Sequence, residues 1–213
     1  MSLSGVARRS AGLALGLLAA LGCTDMVRVT ESPAVAKNGI TIHRIAVAPF
    51  RTVQRPGGRT VPSDTGSLVA GFVADAAAGR GLDVIPPTDV AQSLGLGDPT
   101  AQLPDPRAIV QEAAQRFGAD TVAIGTVSRW QERSGQAAGT LQPASVALEV
   151  RLYSAAATAL LWAGAFDETQ VALGVNVLKA GQYPGGGTRW LTAAEFARFG
   201  SDQIVSRIPL AAR

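Results

Sequence analysis

From residue 43 onward the chain alternates between short apolar runs that suit buried strands and stretches with one apolar face in helical register. Ile45-Ala46-Val47-Ala48-Pro49-Phe50 predicts a first strand, which Pro49 brings to its end. Residues 63–79 predict a helix with Leu68, Phe72 and Ala76 on one face and Gly79 or Gly81 as its stop. Residues 82–85 read as a second strand closed by Pro86-Pro87, and Thr88 as the cap of a short helix that carries Val90 and Leu94 and stops at Gly95. Asp105-Pro106 is a helix start, an acceptor at the cap followed by a ring already set to the helical φ. Ile109, Val110, Ala113 and Phe117 form its buried face, and Gly118 stands where a left-handed cap belongs.

Residues 121–127 are apolar on both alternations, the pattern of a central strand covered on both sides. Val146, Leu148, Val150 and Leu152 alternate with Ala147, Glu149, Arg151 and Tyr153, so the next strand is covered on one face only. Residues 160–166 predict the last strand. A final helix opens on Thr192 and Glu195, which make a capping box, with Leu191 and Phe196 as a hydrophobic staple. The predicted order is β-α-β-α-α-β-β-β-α. Early crossovers favour parallel neighbours and the closing strands an antiparallel meander, which gives an α/β fold, bordering on α+β, with helices packed on a mixed sheet.

The residues before this pattern predict an address. Arg8-Arg9 precede an uncharged Leu- and Ala-rich run over residues 11–22, the layout of a secretory signal. That run falls well short of the roughly 20 residues of a spanning helix. It ends in Ala20-Leu21-Gly22-Cys23, which resembles the bacterial lipobox, with Ala20 in place of the usual large aliphatic residue. The resemblance implies that Cys23, the chain's single Cys, is lipidated and begins the mature protein. Thr24 rather than Asp directly follows it, with Asp25 one further on, which by the usual sorting rule implies the periplasmic face of the outer membrane. Three segments are expected: residues 1–22 as lipoprotein signal peptide, 23–42 as lipidated Cys and polar tether, and 43–209 as one periplasmic α/β domain.

Charge and composition narrow the function. The chain of 213 residues has a formal charge of +3, and the signal takes two of the 19 basic residues and none of the 16 acidic ones. The mature chain is therefore within one charge of neutral, and nucleic acid is excluded as an expected partner. One Cys and one His leave no disulfide framework and no Cys/His zinc cluster.

Ile45-Ala46-Val47-Ala48-Pro49-Phe50, then residues 118–127 (Gly-Ala-Asp-Thr-Val-Ala-Ile-Gly-Thr-Val), then residues 152–162 resemble a family of envelope α/β domains. It includes the TolB N-terminal domain, the penicillin-binding-protein activator lipoproteins and the curli-secretion lipoprotein CsgG. That family commonly turns between its last strands with Asp opening the turn and Thr-Gly closing it. Here Ser154 replaces the Asp, and Ala157-Thr158 stand in place of Thr-Gly, although β-branched Thr reaches positive φ only at a cost. Trp162 matches the apolar position after the turn and is expected in the core.

Candidate chemistry is sparse. Asp167-Glu168 are a possible carboxylate pair, but neighbours on a strand point apart, so a solvated strand exit is expected. Gly185-Gly186-Gly187-Thr188 lacks the buried strand and Lys of a phosphate loop and reads as a hinge. Arg51, Arg55 and Arg59 are spaced as in an anion loop, with a solvated loop the expected reading; His43 is expected at a strand edge. No Gly-x-Ser-x-Gly elbow occurs. The expectation is a non-enzymatic outer-membrane lipoprotein without catalytic residues, metal or cofactor. It acts through contacts with an unidentified envelope protein in envelope assembly or cell-wall synthase regulation. The alternative is a CsgG-like secretion channel, against which residues 130–144 are too short and polar for a membrane hairpin; residues 167–190 are open between helix, loop and hairpin.

Overall fold

The computed structural model describes residues 25–96 and 104–211, so Cys23 and the signal segment lie outside the described residues. Its main sheet joins β1 (Val27–Glu31), β9 (Ala159–Thr169), β8 (Ser145–Ser154), β5 (Thr121–Gln131), β2 (Arg44–Val47) and β4 (Asp83–Ile85) in that spatial order. The short β3 (Arg51–Thr52) also pairs with β5. β2 runs parallel to β4 and β5, whereas β8, β9 and β1 are antiparallel to their neighbours. The mixed sheet is the one the sequence predicts. Four helices pack on it: α2 (Thr65–Gly79), α3 (Pro87–Ser93), α4 (Pro106–Phe117) and α6 (Ala193–Ser206).

The two faces of the sheet are covered unequally. On one face α2 and α6 lie over a large core containing Val47, Ala123, Val127, Val150, Leu152, Trp162 and Phe166. On the other, α3 and α4 cover β2, the end of β4 and the start of β5, burying Ala46, Ile85, Ile109, Val122 and Ile124. The first stretch of β5 is therefore buried on both sides, and Gly125 makes this possible, because a Cβ there would overlap the Phe50 ring.

Local signals act as the sequence implies. The Asp105 carboxylate accepts from the Arg107 amide at 2.8 Å, and Gly118 closes α4 at φ 63°. The capping box of α6 is complete in both directions. α3 is capped differently from the prediction: Pro86 holds the cap position, and Thr88 lies inside the helix.

Two expectations are corrected. Most of the stretch expected at 23–42 as a tether is folded, since Val27–Glu31 form the edge strand on β9, and α1 (Pro33–Asn38) follows, capped by Ser32 with Val35 buried. Ile40 is further clipped to the C-terminal segment through Pro209 and Ala211. The alternation in Val27-Arg28-Val29-Thr30 is a strand signal, outweighed in the sequence by Pro33 and Asn38-Gly39. Second, the turn between β8 and β9 is built without the expected Asp and Gly. The Ser154 hydroxyl accepts from the Ala157 amide at 3.3 Å, and Thr158 takes the left-handed position at φ 49°.

Candidate functional site

The predicted carboxylates Asp167 and Glu168 stand at the end of β9, and their side chains diverge to different partners. They are not a solvated exit. Asp167 faces the half of the sheet that no helix covers and is met by three arginines from separate parts of the chain. Arg129 approaches to 2.6 Å, Arg55 to 3.5 Å and Arg28 to 3.8 Å. A β-bulge after Val127 lets Arg129 oppose Ala147 across β5 and β8. Its guanidinium also donates to the Ser145 hydroxyl at 2.7 Å and to the carbonyls of Val146 and Glu168 at 3.3 and 3.2 Å. Arg129 is thus a fixed strut, while Arg28 and Arg55 are more exposed, with side chains 78% and 49% accessible.

Glu168 instead pairs with Lys179 on α5 (Val177–Ala180), which holds residues 170–190 against the sheet. The Val171 amide donates to the Tyr183 hydroxyl at 3.4 Å. Burial pushes the Tyr183 phenol upward, opposed by that amide and reinforced by the charge of Glu168, so it remains a neutral phenol. Gln170 is nearly buried and joins the segment at both ends, donating to the Arg189 carbonyl at 2.9 Å and accepting from the Leu191 amide at 2.8 Å. Of residues 167–190, the first three end β9, and the rest hold a short helix and a glycine turn. Gly185, Gly186 and Gly187 all have positive φ, and a Cβ on Gly187 would strike the Ala180 backbone. The glycines make a packed left-handed turn, not a hinge. Within residues 130–144, β5 ends at Gln131 and a short hairpin of β6 (Ser134–Gln136) and β7 (Gly139–Gln142) follows, whose Ala137 carbonyl accepts from the Trp190 amide at 2.9 Å.

The other candidates are structural. The Asp120 carboxylate accepts from the amides of His43 and Arg44 at 2.8 and 3.2 Å, so the Ala-Asp segment leading into β5 locks the starts of β2 and β5 in register. His43 is exposed beside that lock. Of the loop arginines, Arg51 donates to the Pro104 carbonyl, and Arg55 joins the Asp167 cluster. Trp162 is fully buried, as expected of a core residue. Among the described residues no group of three His, Cys, Asp or Glu side chains could hold a metal ion, and no helix is long and apolar enough to cross a membrane.

Sequence reasoning missed the cluster itself. Arg28 lies in the stretch read as tether, and Arg129 lies beyond the predicted end of β5 at a bulge that breaks the alternation. Only the spaced arginines of the loop at 51–59 hinted at an anion.

No protein-family model matches the chain, and no curated protein matches it in sequence. Among solved structures, the PelC dodecamer from Paraburkholderia phytofirmans is similar at a TM-score of 0.52 and 18% identity, over 88% of this chain and 100% of that one. Lipoprotein GNA1162 from Neisseria meningitidis has a TM-score of 0.42 and 23% identity, over 58% of this chain and 79% of that one. The LpoB C-terminal domain from Salmonella enterica has a TM-score of 0.41 and 18% identity, over 62% and 87%. What the chain shares with PelC is the fold, along the full length of that protein.

Proposed function

We propose that the protein is a non-enzymatic envelope lipoprotein, held by lipid on Cys23 at the periplasmic face of the outer membrane and acting through protein–protein contacts. The observation that carries the reading is the position of its single Cys, at the end of a lipobox-like signal and four residues before the edge strand of a folded domain. The partner is an envelope protein, engaged in envelope assembly or in regulation of a cell-wall synthase. A second reading is favoured by the PelC likeness, since that structure is a dodecamer: the first partner is another copy of the same chain.

Metabolic labelling with a fatty-acid analogue tests the anchor. Wild type incorporates the label and fractionates with membranes, whereas Cys23→Ser does neither; equal labelling of both ends the proposal. Light scattering of residues 24–213 made without lipid separates the two readings, a large closed ring favouring self-assembly and a monomer a different partner. Dye release from liposomes carrying the lipidated chain is expected to stay at background, and specific leakage would promote the secretion channel.

A further inference from the structure

Among the described residues one carboxylate faces three guanidinium groups at Asp167, so the cluster carries an excess of two positive charges at one end of the sheet. Other ion pairs near that end are matched one to one: Arg207 with Asp25 at 2.9 Å, Lys179 with Glu168, and Arg189 with Glu195 at 2.8 Å. The excess lies at the end where β1 begins, because Val27 pairs with Phe166, the residue before Asp167. Cys23 is four residues before Val27, and fully extended chain of that length spans at most about 14 Å. With β1 fixed in the sheet, a lipid on Cys23 has no slack to carry this end of the domain far from the bilayer.

The same end also exposes apolar side chains. The β6–β7 hairpin leaves Leu141 94% accessible, and the segment after β9 leaves Val175, Val177 and Leu178 at 79, 66 and 75%. Exposed aliphatic residues at the same end of the sheet as a basic cluster are the composition of a surface that lies in a membrane interface.

We infer that Arg28, Arg55 and Arg129 around Asp167 form a seat for the phosphate of an anionic phospholipid, with the exposed aliphatic tips at that end of the sheet resting among the headgroups. Arg129, fixed by Ser145 and two carbonyls, sets the site, and Asp167 holds the guanidinium groups together while cancelling one of their charges. The exposed Arg28 and Arg55 supply the arms that reach a phosphate oxygen. The inference draws its geometry from the reading of Cys23 as the anchor, but its test does not use the lipid.

All of the described sheet and both cores lie between Met26 and Leu210, so residues 24–213 contain the whole fold. That chain is spun down with phosphatidylcholine vesicles and with vesicles in which part of the phosphatidylcholine is replaced by phosphatidylglycerol. It is expected to bind the second and not the first, and to dissociate as salt rises. Arg28→Gln with Arg55→Gln weakens binding about fivefold for each arginine removed, with an unchanged melting temperature because both side chains are exposed. Leu178→Ser weakens it further. Asp167→Asn, checked as folded by its melting curve, binds more tightly because it removes the one cancelling charge. Equal binding to both vesicle types, or equal binding by wild type and the double arginine variant, overturns the seat. Loss of acyl labelling at Cys23 with vesicle binding intact refutes the anchor and leaves the seat standing.

Discussion

On one side of β5 the sheet is parallel and wrapped by helices on both faces; on the other it is antiparallel and bare on one face. The wrapped half, β2 and β4 with α3 and α4, holds apolar residues in both directions. In the bare half of β8, β9 and β1, strand β8 alternates from Leu148 on: Leu148, Val150 and Leu152 face the core, while Glu149 and Arg151 face away from it and pair at 2.6 Å. Surface that no helix covers is free to carry charge, and the unbalanced arginines collect there. The wrapped half is closed on both faces; the bare half leaves one face open to solvent.

The largest effect should come from the one core that spans both halves. Phe166 packs edge-on against Phe196 and Phe199, with ring centroids at 5.2 and 6.1 Å, and rests on Gly200, where a Cβ would collide with its ring. Phe166→Ala is expected to cost about 3–5 kcal/mol, read by chemical denaturation. Next is the seam. Gly125→Val drives a side chain into the Phe50 ring and should destabilise by about 1–3 kcal/mol; an unchanged midpoint would mean that the wrapped half tolerates overpacking, contrary to its close fit.

At the turn of the bare half the sign reverses. Thr158 holds a left-handed φ of 49°, so Thr158→Gly should stabilise by up to about 1 kcal/mol, visible as a raised melting temperature.

The smallest effect is in pH. The Thr192 amide, then Arg189, hold the Glu195 carboxyl below its usual range against the opposing pull of partial burial, so its contribution is present above the unfolded pKa and fades as pH falls through the lower folded one. Burial raises Asp202, assisted by Asp75 and opposed by Arg198; its ionisation penalty is present at neutral pH and lifts as pH falls through the raised folded value. Glu195→Gln should flatten the acid side of the stability profile, and Asp202→Asn should remove the opposing gain.

The wrapped half was the more legible in the sequence, because unbroken apolar runs and capped helices depend on neighbours close along the chain. Asp105-Pro106, Gly118 and the Thr192–Glu195 box announce their structures locally. β1 did not, since five residues with one buried side chain become a strand only by finding β9. The charge cluster was hidden for the same reason. Arg28, Arg55, Arg129 and Asp167 come from four distant places, and nothing in their local spacing brings them together. Ser154 and Thr158 are visible in the sequence, but that they close the turn between β8 and β9 follows from backbone torsions and not from residue types.

The edge pairing of Val27 with Phe166 also imposes an order of events. In a chain made from its N-terminus, β1 is the first strand of the sheet to emerge but cannot pair until β9 has followed, well over half the domain later. Helices α2, α3 and α4 and the parallel strands can already associate, whereas β1 waits for a long loop to close before it is hydrogen-bonded. Until then the strand nearest the Cys23 junction is a free β edge, open to proteases and to its counterpart on another nascent chain.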